Sequence, residues 1–227
     1  MRKYAVIVAG GSGTRMGGGI PKQFRRLKDR PVLWWSMKAF HDENPDTELI
    51  LVLPSQFISL WSDYFTTLPS QERFEHNVTS GGENRTESVI NGLKLVDSKD
   101  ALVAIHDGAR PLVSPEMIRR GWEACLQTGA AVPVIPVTDS LRMLYGDDEN
   151  KSVDRAKYVA VQTPQVFDVG ILKGAYEKAE GIIFTDDASV VEKAGYKITL
   201  FRGSENNIKV TNPGDLEMIS LLMEKNA

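Results

Sequence analysis

The sequence predicts an α/β protein, with a mainly parallel sheet, helices on both faces and a projecting β-hairpin arm. Two observations predict the sheet. Short apolar runs at residues 4–9, 48–53, 101–105 and 130–137 are rich in Val, Ile and Leu. They lack the clean alternation of a strand with one wet face, as expected when both faces are covered. Helical patterns separate these runs, and strands alternating with helices favour parallel pairing. A third observation predicts the arm: extended runs at residues 140–145 and 152–161 flank the polar string Gly146-Asp147-Asp148-Glu149-Asn150.

Each helix has its own start signal. The pattern at residues 31–41 follows a proline, and that at 55–65 opens on Ser55 after Pro54. At 84–96 a polar start precedes Val89, Ile90, Leu93 and Leu95. Residues 114–127 open Ser-Pro-Glu, with proline at the first helical position. After the arm come helices at 169–178 and 186–193, then strands at 197–201 and 207–210. A last helix opens at Asn212-Pro213, an N-cap followed by a first-turn proline. The expected organisation is one domain over residues 1–227. Residues 138–161 form the β-arm, which has few apolar residues of its own and needs another surface, a second subunit, to pack on.

Composition narrows the function. The chain has 227 residues, 42% hydrophobic and 25% charged, with a formal net charge of −3. That balance gives no global attraction to nucleic acid or anionic membrane, so neither is an expected partner. No run approaches the ~18 apolar residues of a membrane helix. Cys125 is the only cysteine, so no intrachain disulfide forms, which favours a reducing compartment. The expected location is the cytoplasm, and since no transit-like segment precedes the first strand, that of a bacterium rather than a plastid.

The first strand runs directly into Gly10-Gly11-Ser12-Gly13-Thr14-Arg15-Met16-Gly17-Gly18-Gly19-Ile20-Pro21-Lys22-Gln23. Six glycines in ten positions let backbone N–H groups approach an anion closely. Ligands of open α/β sheets sit at the carboxyl ends of strands, where this loop lies. A dinucleotide fingerprint would need glycine at Met16, and a Walker A loop would need a Gly-Lys pair that the sequence lacks. What the loop carries instead is two cations, Arg15 and Lys22, a combination that suits a triphosphate.

The string Gly-Gly-x-Gly-x-Arg-Met followed by Pro-Lys-Gln resembles the nucleotide-binding signature of the sugar-phosphate nucleotidyltransferases. It is close to their cytidylyltransferase branch acting on 2-C-methyl-D-erythritol 4-phosphate. The resemblance runs from about Tyr4 to about Leu222, with its motifs in order. It implies a Rossmann-like nucleotidyltransferase fold that joins CTP to a sugar-alcohol phosphate and releases pyrophosphate. It places the reaction in the non-mevalonate route to isoprenoid precursors, with Mg²⁺ held mainly by the CTP phosphates and no metal ligand assigned to the protein.

Residue by residue, it implies that Ala9, Gly10, Gly11 and Gly13 contact the nucleotide. Gly81-Gly82-Glu83-Asn84-Arg85-Thr86-Glu87-Ser88 matches the family's Gly-Gly-x-x-Arg-x-x-Ser, which puts Gly81, Gly82, Glu83, Arg85 and Ser88 in the cytidine pocket. His106-Asp107-Gly108-Ala109-Arg110-Pro111 departs from the usual His-Asp-Ala-Ala-Arg-Pro at Gly108. Asp107 and Arg110 are the implied substrate contacts there, while His106 reads as structural. Ser140 replaces the family's arm threonine and keeps its hydroxyl. Thr163, in Gln-Thr-Pro-Gln, and Thr185 and Asp186, in Thr-Asp-Asp-Ala, are the implied acceptor-pocket residues. Asn-Ile-Lys-Val-Thr at 207–211 is intact and supplies Lys209.

The expected catalytic set is Arg15 and Lys22 around the α-phosphate, with Arg155 and Lys209 holding the acceptor phosphate. Ser140 and Arg155 would reach into a partner's site, making the expected assembly a homodimer through the arm. Transfer to ribitol 5-phosphate and a non-catalytic nucleotide-sugar sensor are the competing readings. A dinucleotide-dependent oxidoreductase is disfavoured by the failed fingerprint.

Overall fold

The computed structural model describes residues 1–10, 21–146, 148–179 and 181–225. Its centre is an eight-stranded sheet. Strand β1 (Arg2–Val8) is followed by a small two-stranded ribbon, β2 (Arg26–Leu27) and β3 (Arg30–Pro31), and then by helix α1 (Val32–Glu43). Next come β4 (Glu48–Leu53), α2 (Ile58–Thr67), β5 (Asn77–Ser80), α3 (Arg85–Leu93), β6 (Ala101–Asp107), α4 (Pro115–Thr128) and β7 (Ala130–Pro136). The arm is a separate ribbon, β8 (Leu141–Leu144) paired with β9 (Asn150–Val153). The chain ends with β10 (Val159–Val161), β11 (Gln165–Asp168), α5 (Val169–Lys178), α6 (Asp187–Lys193), β12 (Thr199–Arg202) and α7 (Pro213–Lys225).

The sheet runs β10-β7-β11-β6-β1-β4-β5, with β12 also on β7. Strands β6, β1, β4 and β5 are parallel neighbours, and β12 is parallel to β7. Strand β11 is antiparallel to both β6 and β7. Strand β10 is antiparallel to β7 in nearly the same register, so β10 and β11 follow one another along one edge of β7.

The alternation hidden in the apolar runs divides them between two cores. Ala5 and Ile7 face α1, α2 and α4, where Leu33, Met37, Phe40, Trp61, Met117 and Trp122 are packed. Tyr4 and Val6 face α3, α5 and α6, with Val89, Leu93, Leu172, Val190 and Val191. A strand buried on both faces reads as one continuous apolar run, since each face supplies every second residue. Five of the helices are capped by the side chain before them: Asn84, Ser114, Asp168, Asp186 and Asn212 accept amide hydrogens of the first turns that follow them.

Beyond the short strands β2, β3 and β5, the structure differs from the sequence expectations in three further elements. Strand β11 was not expected; it has only four residues, is polar at both ends and follows a proline. The run expected as one strand at 152–161 divides into β9, a single 3-10 turn at Arg155–Lys157 and β10. Residues 207–210 form no strand. Their apolar Ile208 and Val210 pack beneath α7, and instead of a strand ladder the segment makes single bonds to the body, such as the Val210 amide donating to the Ala109 carbonyl at 2.8 Å.

Candidate active site

A cavity of about 370 Å³ opens at the carboxyl ends of β1 and β6. Its walls come from four places. Val8, Ala9 and Gly10 end β1; Lys22 and Gln23 follow the glycine loop; Gly82 to Arg85 and Ser88 start α3; Asp107, Ala109 and Lys209 complete it. A crevice of about 660 Å³ between α3 and α5 is larger, but the surface it presents is mostly apolar. Its two lysines are engaged, Lys94 with Asn91 and Lys173 with the Val96 carbonyl. Phosphate chemistry therefore points to the smaller cavity.

Asp107 is the hub of the site. Its Oδ2 accepts from Lys209 Nζ at 2.7 Å, with Arg110 Nε at 3.8 Å, and its Oδ1 lies 3.9 Å from Arg85 Nε. Burial pushes the carboxyl pKa up, but Lys209, Arg85 and Arg110 outweigh it and hold the group at about 2. Arg85 also donates to Asp187 Oδ2 at 2.6 Å. Burial opposes its charge, yet Asp187 raises its pKa above the ordinary guanidinium value.

His106 orders the floor. It has no exposed surface, and burial lowers its pKa to about 4. Thr163 Oγ1 accepts from the Asp107 amide at 3.1 Å, so its own hydrogen is free for His106 Nδ1 at 3.2 Å. His106 Nε2–H then donates to the Arg110 carbonyl at 3.2 Å. This neutral ring, locked at both nitrogens, is a scaffold for Asp107 and Arg110. Gly108 is also explained: an added methyl carbon there would lie 3.0 Å from Leu33 Cδ1 and 3.1 Å from Ala9 Cβ.

The two glycine segments meet at Ser88. Its hydroxyl donates to the Asn84 carbonyl at 2.9 Å and accepts from the Gly82 amide at 3.1 Å. A side chain at Gly10 or Gly81 would bring its Cβ to 3.0 or 2.9 Å from this oxygen. Those two positions need glycine for close approach rather than for an unusual backbone conformation. Glu87 Oε2 accepts from the Glu83 amide at 2.8 Å, fixing the turn that leads into α3. Lys22 reaches across the cavity and donates to the Val210 carbonyl at 2.8 Å. Gln23 Nε2 donates to the Ala9 carbonyl at 2.6 Å.

The structure therefore gathers Ala9, Gly10, Lys22, Gly82, Glu83, Arg85, Ser88, Asp107 and Lys209 around one cavity, with Gly81 immediately behind it. Arg110 and Thr163 support it from beneath. The Arg110 guanidinium donates to the Asn207 carbonyl at 2.7 Å. Thr185 is exposed, and Asp186 caps α6 while accepting from Gln165 Nε2 at 3.0 Å. Neither lines the cavity, nor do Ser140 and Arg155, which sit exposed at the base of the arm. Arg155 donates there to the Thr138 carbonyl. Gly11, Gly13 and Arg15 lie outside the described residues.

Sequence reasoning overlooked Gln23, Asp187 and Asn207. Asp187 pairs with a residue 102 positions away, and Asn207 Nδ2 reaches the Thr163 carbonyl at 2.8 Å across 44 positions. No local spacing signals such pairings.

Comparison with known proteins agrees with this geometry. Residues 4–225 match the family profile described as IspD: 2-C-methyl-D-erythritol 4-phosphate cytidylyltransferase. The enzyme of that name from Bacteroides thetaiotaomicron is 44% identical over 225 residues, 98% of this chain and 100% of the relative. The crystal structure of 2-C-methyl-D-erythritol 4-phosphate cytidylyltransferase from Thermus thermophilus superposes with a TM-score of 0.78 at 31% identity, covering 99% of this chain and 100% of that one. The 4-diphosphocytidyl-2C-methyl-D-erythritol synthase of Anaerococcus prevotii superposes at 0.83 with 25% identity, covering 98% of each chain. With a cation-lined cavity at the switch of its sheet and a profile match over almost its whole length, the chain belongs to the 2-C-methyl-D-erythritol 4-phosphate cytidylyltransferase (IspD) family.

Proposed function

We propose that the protein transfers the cytidylyl group of CTP to 2-C-methyl-D-erythritol 4-phosphate. The products are 4-diphosphocytidyl-2-C-methyl-D-erythritol and pyrophosphate, as a step toward isoprenoid precursors. The observation that carries this reading is the convergence of Lys22, Arg85 and Lys209 on one cavity beside Asp107, at the end of β1, in a member of this family.

The acceptor's phosphate monoester, with a second pKa of about 6, is largely dianionic at neutral pH and needs no protein base. One of its oxygens attacks the α-phosphorus of CTP in line. The new P–O bond forms as the bond to the bridging oxygen breaks, and pyrophosphate leaves with that electron pair. Two anions must meet, so catalysis consists of positioning and charge stabilisation. Lys22, with Arg15 from the glycine loop, is assigned to charge around the α-phosphate. Lys209 holds the acceptor phosphate, and Arg155 grips it with a bidentate guanidinium. Asp107, Arg110, Thr163, Thr185 and Asp186 are assigned to shaping the acceptor pocket, and Ser140 to a hydroxyl contact with it.

The acids lining the cavity are Glu83 and Asp107, and Asp107 is already engaged by cations. Mg²⁺ fits this donor set as an ion carried mainly on CTP phosphate oxygens, where it would neutralise the triphosphate. Residues 1–227 act as one catalytic domain, with the arm at 138–161 joining two copies so that Ser140 and Arg155 serve the partner's site. The exposed Met143, Leu144 and Tyr145 at the arm tip support that pairing. Among the described residues, no helix is long and apolar enough to cross a membrane. A buried, unpaired Cys125 is in keeping with a cytoplasmic location.

The test is pyrophosphate release from CTP and Mg²⁺, with methylerythritol 4-phosphate and ribitol 5-phosphate compared side by side. A large preference for the methylerythritol substrate is expected. Preference for ribitol phosphate would keep the chemistry and overturn the acceptor, and release with neither would overturn the enzymatic reading.

A further inference from the structure

Two buried polar side chains, Tyr176 and Asp187, have no part in the mechanism above. Tyr176 on α5 is 6% exposed, and the Asp187 side chain at the start of α6 is fully buried. The Tyr176 hydroxyl donates to Asp187 Oδ1 at 2.6 Å, and Arg85 Nη2 donates to Oδ2 at 2.6 Å. The backbone beneath the carboxylate is pinned as well, since the Asp187 and Ala188 amides donate to Gln165 Oε1 at 3.0 and 2.9 Å. At its other end the Arg85 guanidinium faces Asp107 and lines the cavity. Tyr176 and Asp187 themselves do not line it.

A buried aspartate and arginine can neutralise one another without a third partner. Here a tyrosine from another helix takes the second carboxylate oxygen, so the carboxylate cannot rotate and the arginine cannot follow it. An arginine free to sample rotamers loses that freedom when a ligand binds; one already fixed does not. We infer that Tyr176 and Asp187 are positioning residues for the nucleotide, holding Arg85 in its binding orientation before CTP arrives. The inference rests on the reaction proposed above and extends the site to a helix that does not line the cavity.

The test is a double-mutant cycle on CTP affinity by calorimetric titration, with unfolding midpoints measured alongside. Asp187→Asn strips charge from a buried pair and threatens folding, so the tyrosine hydroxyl is the better handle. Loss of one such bond is expected to weaken CTP binding by Tyr176→Phe about 3- to 10-fold. KM for the acceptor stays within about twofold. In an Arg85→Ala background the same change is expected to have no further effect, because its route to the ligand is gone. A hydroxyl that merely stabilises the fold would lower the unfolding midpoint and leave CTP affinity where it was. That result, or equal effects with and without Arg85, overturns the inference. Both are scored with a wild type that binds CTP and releases pyrophosphate, so the inference can fail while the proposed reaction stands. A wild type that does not bind CTP would sink both.

Discussion

Asp107 keeps three cations within 4 Å of one carboxylate, and that arrangement shapes how each can be used. Lys209 is bonded to Asp107 at 2.7 Å, so an arriving phosphate must compete for it. Lys22 donates to a backbone carbonyl and lines the cavity. Replacing Lys22 with Ala is expected to lower kcat on the order of 10²–10³, comparable to removing one oxyanion donor. The unfolding midpoint should hardly change, and Arg15→Ala should behave alike. Near-full turnover by a folded Lys22→Ala enzyme would remove it from the catalytic set. At this scale the sequence was informative where residues sit in strings: Gly10, Gly82, Ser88, Asp107 and Lys209 all meet at the cavity. It was silent about Tyr176 and Asp187, whose roles arise because α5 and α6 pack beside α3. Asp186 shows the same limit. Its string was readable, but only the fold shows that its carboxylate caps a helix while its neighbour's enters the ion-pair network.

At the scale of elements, start signals told more than apolar pattern. Ser114-Pro115 and Asn84 sit at helix starts because a side-chain oxygen there satisfies an amide that the helix cannot. Residues 207–210 misled because alternating apolar residues suit an extended loop under a helix as well as a strand. Strand β11 went unseen because a four-residue strand between a proline and a helix cap carries too little pattern. The arm was legible as a ribbon from its polar tip and flanking extended runs. Its proposed action across subunits has a direct test in mixing two inactive variants, Lys22→Ala and Arg155→Ala. If the arm serves the neighbouring site, random heterodimers regain one intact site of two, and activity should recover to about a quarter of wild type. If each arm serves its own subunit, mixing restores nothing.

Across the whole molecule, two cores clamp the sheet, and charge is buried at one end of it. That placement sets the response to acid. His106 falls from the 6.5 of free imidazole to about 4, so the unfolded chain binds a proton that the folded one refuses. Its contribution is fully present above pH 6.5 and is lost as the pH falls toward 4, a loss on the order of 3 kcal/mol. Half-buried His76, also lowered by burial, acts in the same direction. Asp107 adds a later loss between about 3.8 and 2. Urea midpoints measured between pH 7 and 4 should therefore decline, and His106→Gln should flatten the slope despite lower stability at pH 7. A midpoint independent of pH over that window would contradict the neutral, buried histidine.

Past the arm the chain rejoins the central sheet as β10, and Val161 is separated from Thr163 by a single residue. Thr163 is the hydroxyl that sets both His106 and the Asp107 amide. Gln162, between them, holds β7 through its amide and Ser204 through its side chain. Between the ribbon and the latch under the reactive floor lie one 3-10 turn and a strand held by β7. A pull on the ribbon would therefore meet the ladder of β10 on β7 before it reached Thr163, and the sheet stands as a buffer between the limb and the latch.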